Sequence, residues 1–284
     1  MMINRSALLS DIHGNSPALQ AVWEDIVRNE CSQVFVLGDI INGIDPHGCV
    51  ELLNQWRETS AVKLACIKGN AETYLLTPDL DALWDRKEPW NADVIRRIKW
   101  FESRLSEADL KWIRSFPDFI FWNNACLVHD SPIDRLDPHS WHKPEIEPKY
   151  QEWFYHSPGI VENMETAEWQ KILAFMTARG FTQVFCGHTH NPFLREIGGK
   201  LICNVGSVGI PCDGNPQAAW VMLEEKPDGK PVIKIQRVDY DIARIHLLID
   251  DTPDYPYFQL PGIKGAYKKW FSTGIHWRAH LSSE

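Results

Sequence analysis

The N-terminal third of the chain alternates short apolar segments with amphipathic helical segments, and polar residues beside glycine follow each apolar segment. Strands are predicted at Ser6 to Ser10, Gln33 to Leu37 and Val62 to Ile67. Helices are predicted to open at Ser16-Pro17 and at Asp45-Pro46, because a polar cap followed by proline is a typical helix start. Successive β-then-α units favour parallel strands with right-handed crossovers. The pattern therefore predicts an α/β protein.

The rest of the chain is expected to complete one domain over residues 1–240, with a helical insert at about 78–118 and a lid-like segment at about 130–162. A helix is predicted from Ala167 to Arg179. Further strands are predicted at Phe119 to Val128, Gln183 to Cys186, Phe193 to Ile197, Lys200 to Val205, Ala219 to Leu223 and Val232 to Val238. Gly198-Gly199 and Asp228-Gly229 are typical of hairpin turns, which favours a largely antiparallel second sheet. Residues 241–284 are expected to form an irregular tail packed on the domain.

Side chains that can bind metal follow five of the predicted strands. They are Asp11, His13, Asp39, Asn70, His129, His188 and His190. The carboxyl ends of strands in open α/β sheets are where ligands gather, so these side chains are expected to converge on one rim. Any one of them alone is better explained as a turn residue, a helix cap or a core histidine. Their repetition at five strand ends favours a functional site.

The chemistry of this set points to metal-assisted hydrolysis. Carboxylates, imidazoles and one amide oxygen form a mixed nitrogen and oxygen set that suits Mn, Fe or Zn better than Ca. Two such ions about 3.5–4 Å apart clamp a phosphate and lower the pKa of a bridging water. The set therefore predicts two divalent or trivalent metal ions and hydrolysis of a phosphoester by in-line attack.

The same residues resemble the calcineurin-like metallophosphoesterase superfamily. Its five blocks are matched in order by Asp11-Ile12-His13, Gly38-Asp39, Gly69-Asn70, His129 and Gly187-His188-Thr189-His190. The segments LLSDIHGNSPALQAV and GHTHNPFLREIGGKLICNVGSVGIPCDGNPQAAWVML are most similar to small bacterial phosphodiesterase-like or diadenosine-tetraphosphatase-like members. The resemblance covers roughly residues 5–240. It implies a four-layer αββα sandwich of two mixed β-sheets flanked by helices.

The resemblance also implies roles for individual residues. Asp11, His13 and His190 would hold one metal, and Asn70, His129 and His188 the other, with Asp39 bridging. The catalytic set would be Asp39, Asn70, His129 and His188 around a metal-bridging hydroxide. Substrate contacts would come from Asn70, Asn204 and Ser207, although Asn204 and Ser207 are equally well explained as turn residues. A small phosphorylated substrate is implied, with nucleotides among the candidates.

Two positions depart from the family pattern. Ala71 stands where many members carry a histidine that protonates the leaving group, and Asp130 replaces the glycine after His129. Without that acid, stable leaving groups are favoured, so we expect aryl phosphodiesters and phosphoanhydrides to react better than alkyl phosphomonoesters. Alternative acids are His47, His139 and His142, each better explained as a surface histidine. Asp130 either supports the site or crowds the substrate.

Charge and composition restrict the alternatives. The net charge of −9 and the lack of a basic stripe disfavour a nuclease, a stable nucleic-acid complex or an anionic membrane partner. No secretory signal is recognised at the start, and the seven cysteines include no C-x-x-C pair, so a cytoplasmic location with reduced thiols is expected. A non-catalytic interaction scaffold, like the small subunit of retromer, and a serine/threonine-type phosphomonoesterase remain as alternatives. Metal identity, oligomeric state and natural substrate stay open.

Overall fold

Two packed β-sheets form the centre of the protein, in a computed structural model that describes residues 4–78, 89–133, 159–225 and 231–280. The strands are β1 (Asn4–Leu9), β2 (Gln33–Val36), β3 (Lys63–Cys66), β4 (Phe119–Trp122), β5 (Ala125–Val128), β6 (Gln183–Cys186), β7 (Phe193–Ile197), β8 (Lys200–Asn204), β9 (Ala218–Glu225) and β10 (Pro231–Val238). The helices are α1 (Ser16–Arg28), α2 (Pro46–Thr59), α3 (Asn70–Leu75), α4 (Pro89–Arg104), α5 (Glu107–Arg114), α6 (Thr166–Arg179), α7 (Ile242–Asp251) and α8 (Ile263–Thr273).

The first sheet has the order β10-β9-β1-β2-β3, and the second has the order β4-β5-β6-β8-β7. In the first sheet β1, β2 and β3 are parallel, as predicted, whereas β9 runs antiparallel beside β1 and β10 pairs antiparallel with β9. The second sheet is mixed as well, because β5, β6 and β8 are parallel and β4 and β7 are antiparallel edge strands. The predicted fold of two mixed sheets flanked by helices is confirmed.

Side chains that point to opposite faces of each strand contribute to three separate apolar layers. In β1, Leu8 packs between the two sheets, whereas Ala7 and Leu9 face the helices that cover the first sheet. In β5, Leu127 faces the first sheet, and Cys126 faces the layer containing α6. Successive side chains of a strand point to opposite faces, so each strand supplies two layers.

Two strand predictions need correction. The segment Phe119 to Val128 is a hairpin rather than one strand, because Asn123 adopts a φ of 51° and reverses the chain between β4 and β5. The second half does not build a largely antiparallel sheet. Helix α6 carries the chain back so that β6 lies parallel to β5, and β9 pairs with β1 of the first sheet. The turn predicted at Gly198-Gly199 joins β7 and β8, with both glycines at positive φ.

The C-terminal segment is helical, not irregular. The Asp241 side chain accepts a hydrogen bond from the Arg244 amide and begins α7, while α8 ends at Gly274 with a φ of 66°. The prolines that suggested irregularity lie between the two helices. Apolar side chains of this segment, including Ile245 and Trp270, join the core that covers the first sheet.

The helical insert is present as α4 and α5, with Ser106 capping α5 as predicted. Most of the predicted lid-like segment, residues 134–158, lies outside the described residues, as do His139, His142 and the Asp228-Gly229 turn. Across the described part of the chain, no helix has the length and apolar character needed to cross a bilayer.

Candidate metal centre and the adjoining cavity

All seven predicted ligands meet where β1, β2, β3, β5 and β6 end. We call this group the metal centre: Asp11, His13, Asp39, Asn70, His129, His188 and His190. Potential ligand atoms lie within 4.8 Å of one another in two sets, one of Asp11, His13 and His190 and one of Asp11, Asp39 and His129. The convergence predicted from strand ends is therefore what the fold produces.

The first set surrounds one oxygen of Asp11. The Asp11 Oδ1 atom lies 3.3 Å from His190 Nε2 and 3.5 Å from His13 Nε2, and these two nitrogens are 3.0 Å apart. The outer nitrogens are held by backbone carbonyls, since His13 Nδ1 donates to Asn42 (2.9 Å) and His190 Nδ1 donates to Ile210 (3.0 Å). A ring held in this way presents its Nε2 lone pair inward, as metal-binding imidazoles do.

The second set is assembled around His129. Its Nδ1 donates to the Leu37 carbonyl (2.7 Å), and its Nε2 lies 3.0 Å from Asn70 Oδ1 and 3.6 Å from Asp39 Oδ1. His188 Nδ1 is 3.0 Å from the same Asn70 oxygen. The other oxygen of Asp39 lies 3.6 Å from His13 Nε2, so Asp39 reaches from the second set toward the first.

Buried charge dominates the electrostatics of the metal centre. Burial raises the pKa of Asp11, but positive charge on His190 and His129 outweighs it and holds that pKa well below its usual range. Burial lowers the pKa of His190, yet the Asp11 carboxylate raises it to about 9. Burial and the charge of His129 lower the pKa of His188 to about 4. The two carboxylates thus attract positive charge, and a divalent cation would compete with protons for the same nitrogens.

One buried atom tests whether a metal fits. Asp11 is fully buried, and its Oδ1 has no hydrogen-bond partner among the described residues, although three imidazole nitrogens lie within 4.0 Å. A buried carboxylate oxygen without a partner is costly, and a cation between it and the imidazoles would satisfy all of these atoms. The donor set therefore fits metal ions of the Mn, Fe or Zn type.

The backbone is strained at the ligands themselves. Five of the seven have left-handed backbones: Asp11 (φ 54°), His13 (φ 48°), Asp39 (φ 53°), His188 (φ 68°) and His190 (φ 59°). Non-glycine residues rarely adopt this region, and such strain clusters at functional sites. Contacts between the loops hold it in place, since Asp11 N donates to Gly38 O (3.0 Å) and His13 N donates to Asp39 O (2.9 Å).

Two glycines beside the ligands are required by close approach. A Cβ on Gly38, which has a φ of 91°, would overlap the Gly69 backbone. A Cβ on Gly187 would overlap the side chains of Ser10 and Asp11. These contacts explain why glycine accompanies the polar residues in the sequence.

Sequence analysis missed Glu72, a fully buried carboxylate on α3. It accepts hydrogen bonds of 2.8 Å from the amides of Asp39, Ile40 and Gly69, and a longer one of 3.3 Å from Ile41. Burial, followed by the charge of Asp39, raises the pKa of Glu72. Glu72 thus ties the Asp39 loop to the Asn70 loop. Its signal in the sequence was a charged residue two positions after Asn70.

Asn204 and Ser207 were predicted to contact the substrate, but in the structure they hold the loops that carry the predicted ligands. Both side chains are fully buried and neither lines the cavity described below. Asn204 Nδ2 donates to the Gly187 carbonyl (2.6 Å), and Ser207 Oγ donates to the Asp11 carbonyl (2.7 Å). Their polar atoms are used to hold the ligand loops.

Ala71 and Asp130, the two residues that depart from the family pattern, both lie close to the metal centre. Ala71 lies at the metal centre, with its amide donating to Asp39 Oδ1 (2.9 Å). Asp130 is buried and does not line the cavity, and its charge opposes the lowering of the His188 pKa. His47 contacts Asp109 at 3.1 Å and is half exposed, outside the cavity.

A cavity of about 710 Å³ opens directly onto the metal centre. Ligands on its wall include His13, Asp39, Asn70, His188 and His190. The opposite wall comes from α4 and from the C-terminal segment. We call one part of this wall the aromatic pocket, made of four rings and the guanidinium packed on one of them: Arg97, Tyr257, Tyr267, Trp270 and Trp277. None of these five residues is among the individually predicted catalytic, substrate-binding or metal-binding residues.

Comparisons with known proteins agree with this geometry. Residues 5–192 match the family model for calcineurin-like phosphoesterases. Uncharacterized protein MJ0912 of Methanocaldococcus jannaschii is 28% identical over 266 residues, covering 87% of this chain and 92% of that protein. A metallophosphoesterase from Sphaerobacter thermophilus has a TM-score of 0.65 at 23% identity, covering 95% of this chain and 100% of that chain. Hypothetical protein PH1004 from Pyrococcus horikoshii OT3 has a TM-score of 0.69 at 17% identity, covering 97% of this chain and 100% of that chain. The two solved structures show the same fold.

Proposed function

Because the chain belongs to the calcineurin-like phosphoesterase family, we propose that it hydrolyses a phosphodiester or phosphoanhydride with two metal ions. The observation that carries the proposal is the unpartnered Asp11 Oδ1, facing imidazole nitrogens that are oriented by backbone carbonyls. A scaffold that only binds proteins has no need to retain such a costly buried group.

The residues divide the work as follows. Asp11, His13 and His190 would hold one metal, and Asn70, His129 and His188 would hold the other, with Asp39 between them. Metal ions in such a site polarise phosphoryl oxygens and lower the pKa of water toward neutrality. Glu72, Asn204 and Ser207 keep the ligand loops in place through their hydrogen bonds to backbone groups.

The arrangement supports substrates with stable leaving groups. Ala71 provides no proton, and His47 lies outside the cavity. His276 lines the cavity, but burial and the neighbouring Arg278 lower its pKa to about 3, so near pH 7 it lacks the acidic second proton of an imidazolium. Aryl esters and anhydrides need little protonation of the leaving oxygen, so they are the favoured classes.

The proposal is tested by hydrolysis of bis-p-nitrophenyl phosphate and p-nitrophenyl phosphate with Mn²⁺, Fe²⁺ or Zn²⁺. Asp39→Asn removes the charge between the two sets, and Asp250→Asn is the matched control because Asp250 lies on the surface of α7. We expect metal-dependent activity that Asp39→Asn abolishes and Asp250→Asn retains, with the diester hydrolysed faster.

The alternatives give different results. Faster hydrolysis of the monoester would favour a phosphomonoesterase. Absence of both metal binding by calorimetry and hydrolysis with every ion would overturn the proposal in favour of the scaffold.

A further inference from the structure

The aromatic pocket is built largely by a part of the chain beyond the family match. That match ends at residue 192, whereas Tyr257, Tyr267, Trp270 and Trp277 belong to the C-terminal segment. The metal centre is thus made within the matched region, and most of the wall opposite to it is not. A wall added to a hydrolytic centre in this position meets whatever part of the substrate lies next to the phosphate.

The wall is made of rings in fixed positions. Tyr267 lies 5.7 Å from Trp270 and 5.9 Å from Trp277, measured between ring centroids, and Tyr257 lies 5.8 Å from Trp277. Trp270 Nε1 donates to the Pro211 carbonyl at 2.8 Å. Because each ring is held by its neighbours, the wall needs little reordering to receive a ligand.

Arg97 connects this wall to the metal centre. Its guanidinium lies 4.4 Å from the centroid of the Tyr257 ring, and its Nη1 donates to Asn42 Oδ1 at 3.2 Å. The Asn42 carbonyl in turn accepts from His13 Nδ1. The cation is therefore close to where a phosphate on the metal centre would lie, and guanidinium groups recognise phosphate well.

Ala71 has a small side chain at the point where the cavity joins the metal centre to the aromatic pocket. Its methyl group lines the cavity beside Asp39 and Asn70. An imidazole at this position would occupy part of the space through which the metal centre and the aromatic pocket communicate. The residue that removes a proton donor also makes room for a bulky group next to the phosphate.

We propose that the aromatic pocket binds the planar heterocycle of a nucleotide-type substrate, while its phosphate lies on the metal centre. The cavity volume of about 710 Å³ is within the range of about 300–1,000 Å³ for small-molecule sites. Flat rings suit stacking on a base, and Arg97, Arg278 and His276 on the same walls offer polar groups to its edges.

This inference rests on the proposed function for the placement of the phosphate, but its test reads binding rather than turnover. Calorimetry with Mn²⁺-loaded protein compares adenosine 5′-monophosphate with ribose 5-phosphate, which lacks the base. Both are alkyl monoesters, the class with the slowest expected hydrolysis. We expect the base to tighten binding by about 10-fold or more, as stacking on aromatic side chains does.

Variants locate the effect. Trp277→Leu should bring the two affinities together, whereas Trp277→Phe, which keeps a ring, should preserve the difference. Trp112→Leu is the matched control, because Trp112 is a partly buried ring of α5 that packs on Phe116 outside the cavity. Thermal unfolding of each variant verifies that it is folded.

Each result bears on one of the two proposals. Equal affinities of the wild type for the two phosphates would overturn the proposed role of the aromatic pocket. So would a difference in affinity that persists in folded Trp277→Leu. Neither result would affect the proposal of metal-dependent hydrolysis. A preference for the base in protein that neither binds metal nor hydrolyses esters would support the pocket and reject the proposed function.

Discussion

The metal centre and the aromatic pocket face the same cavity but are built in opposite ways. The metal centre consists of buried charged groups on strained loops, each directly after a strand, with Asp11, His13 and Asp39 at positive φ. The aromatic pocket consists of rings on helices and short turns of the C-terminal segment, supported by one another, with the Arg97 guanidinium of α4 beside them. Strain and buried charge are tolerated where the chemistry needs fixed ligands. In our proposal, selectivity comes from the packed rings of the aromatic pocket.

Metal loading should separate the two regions most strongly. A ligand that binds only the folded state at 1,000 times its dissociation constant stabilises by about 4 kcal/mol. Wild-type protein should therefore show a rise of that order in its free energy of unfolding when Mn²⁺ replaces EDTA, measured by denaturant titration. His190→Ala should lose most of the rise. His47→Ala, an exposed histidine outside the cavity, should keep it, and an equal loss in both variants would contradict the assignment.

A substitution at Ala71 should affect both regions at once. Ala71→His supplies a proton donor, so the rate on an alkyl phosphodiester relative to an aryl diester should rise by about 10²-fold. Ala71→Val fills the passage without a proton donor and should leave that ratio near the wild-type value. Both variants should weaken adenosine 5′-monophosphate binding. Hydrolysis rates on a matched alkyl and aryl diester test the change in ratio, and calorimetry tests the change in nucleotide binding.

Glu72 should affect the metal centre through its loops. Glu72→Gln replaces an oxygen that accepts backbone hydrogen bonds by an amide NH2 group, which can only donate, so the free energy of unfolding should fall by about 2 kcal/mol. Metal affinity should fall by about 10–100-fold, as for other groups that orient ligands. Glu102→Gln, an exposed position on α4, serves as the control for chemical denaturation and metal titration. Unchanged metal affinity in folded Glu72→Gln would reject the positioning role.

Arg97 gives the smallest expected effect and isolates the aromatic pocket. Arg97→Lys keeps the charge but loses the planar contact with Tyr257, worth about 1 kcal/mol, so nucleotide binding should weaken by about five-fold. Arg104→Lys is a close control, because Arg104 lies 4.8 Å from the centroid of the Trp100 ring, outside the cavity. Similar losses in both variants would mean that the contact acts through general stability.

Much of the architecture was predictable because local pattern and tertiary structure agree there. The strands β1, β2, β3 and β6 follow apolar runs, and their parallel pairing follows from the helices between them. The hairpin between β4 and β5 was missed because its turn residue, Asn123, looks like any polar residue within an apolar run. The helices α7 and α8 were missed because prolines lie between them and hide their separate patterns.

Within the site, the seven ligands of the metal centre were predicted but not all of their neighbours. Each of these residues follows a strand, and the strand ends meet at one edge of the sheets. Their place in the sequence is therefore enough to predict that they lie close together. Asn204 and Ser207 were placed near the site, but only their hydrogen bonds to Gly187 and Asp11 reveal that they hold loops. Glu72 is distinguished only by the four amides that converge on it.

The sequence by itself determined the parallel α/β start of the fold, the side chains at the strand ends that are able to hold metal, and the absence of a proton donor at Ala71. These depend on residue type and on spacing along the chain. Only the tertiary structure decided that β9 and β10 complete the first sheet and that Arg97 meets Tyr257. It also decided that the C-terminal rings line a cavity on the metal centre. Such contacts join segments far apart in the chain, and no local period encodes them, because they depend on how packed layers close over one another.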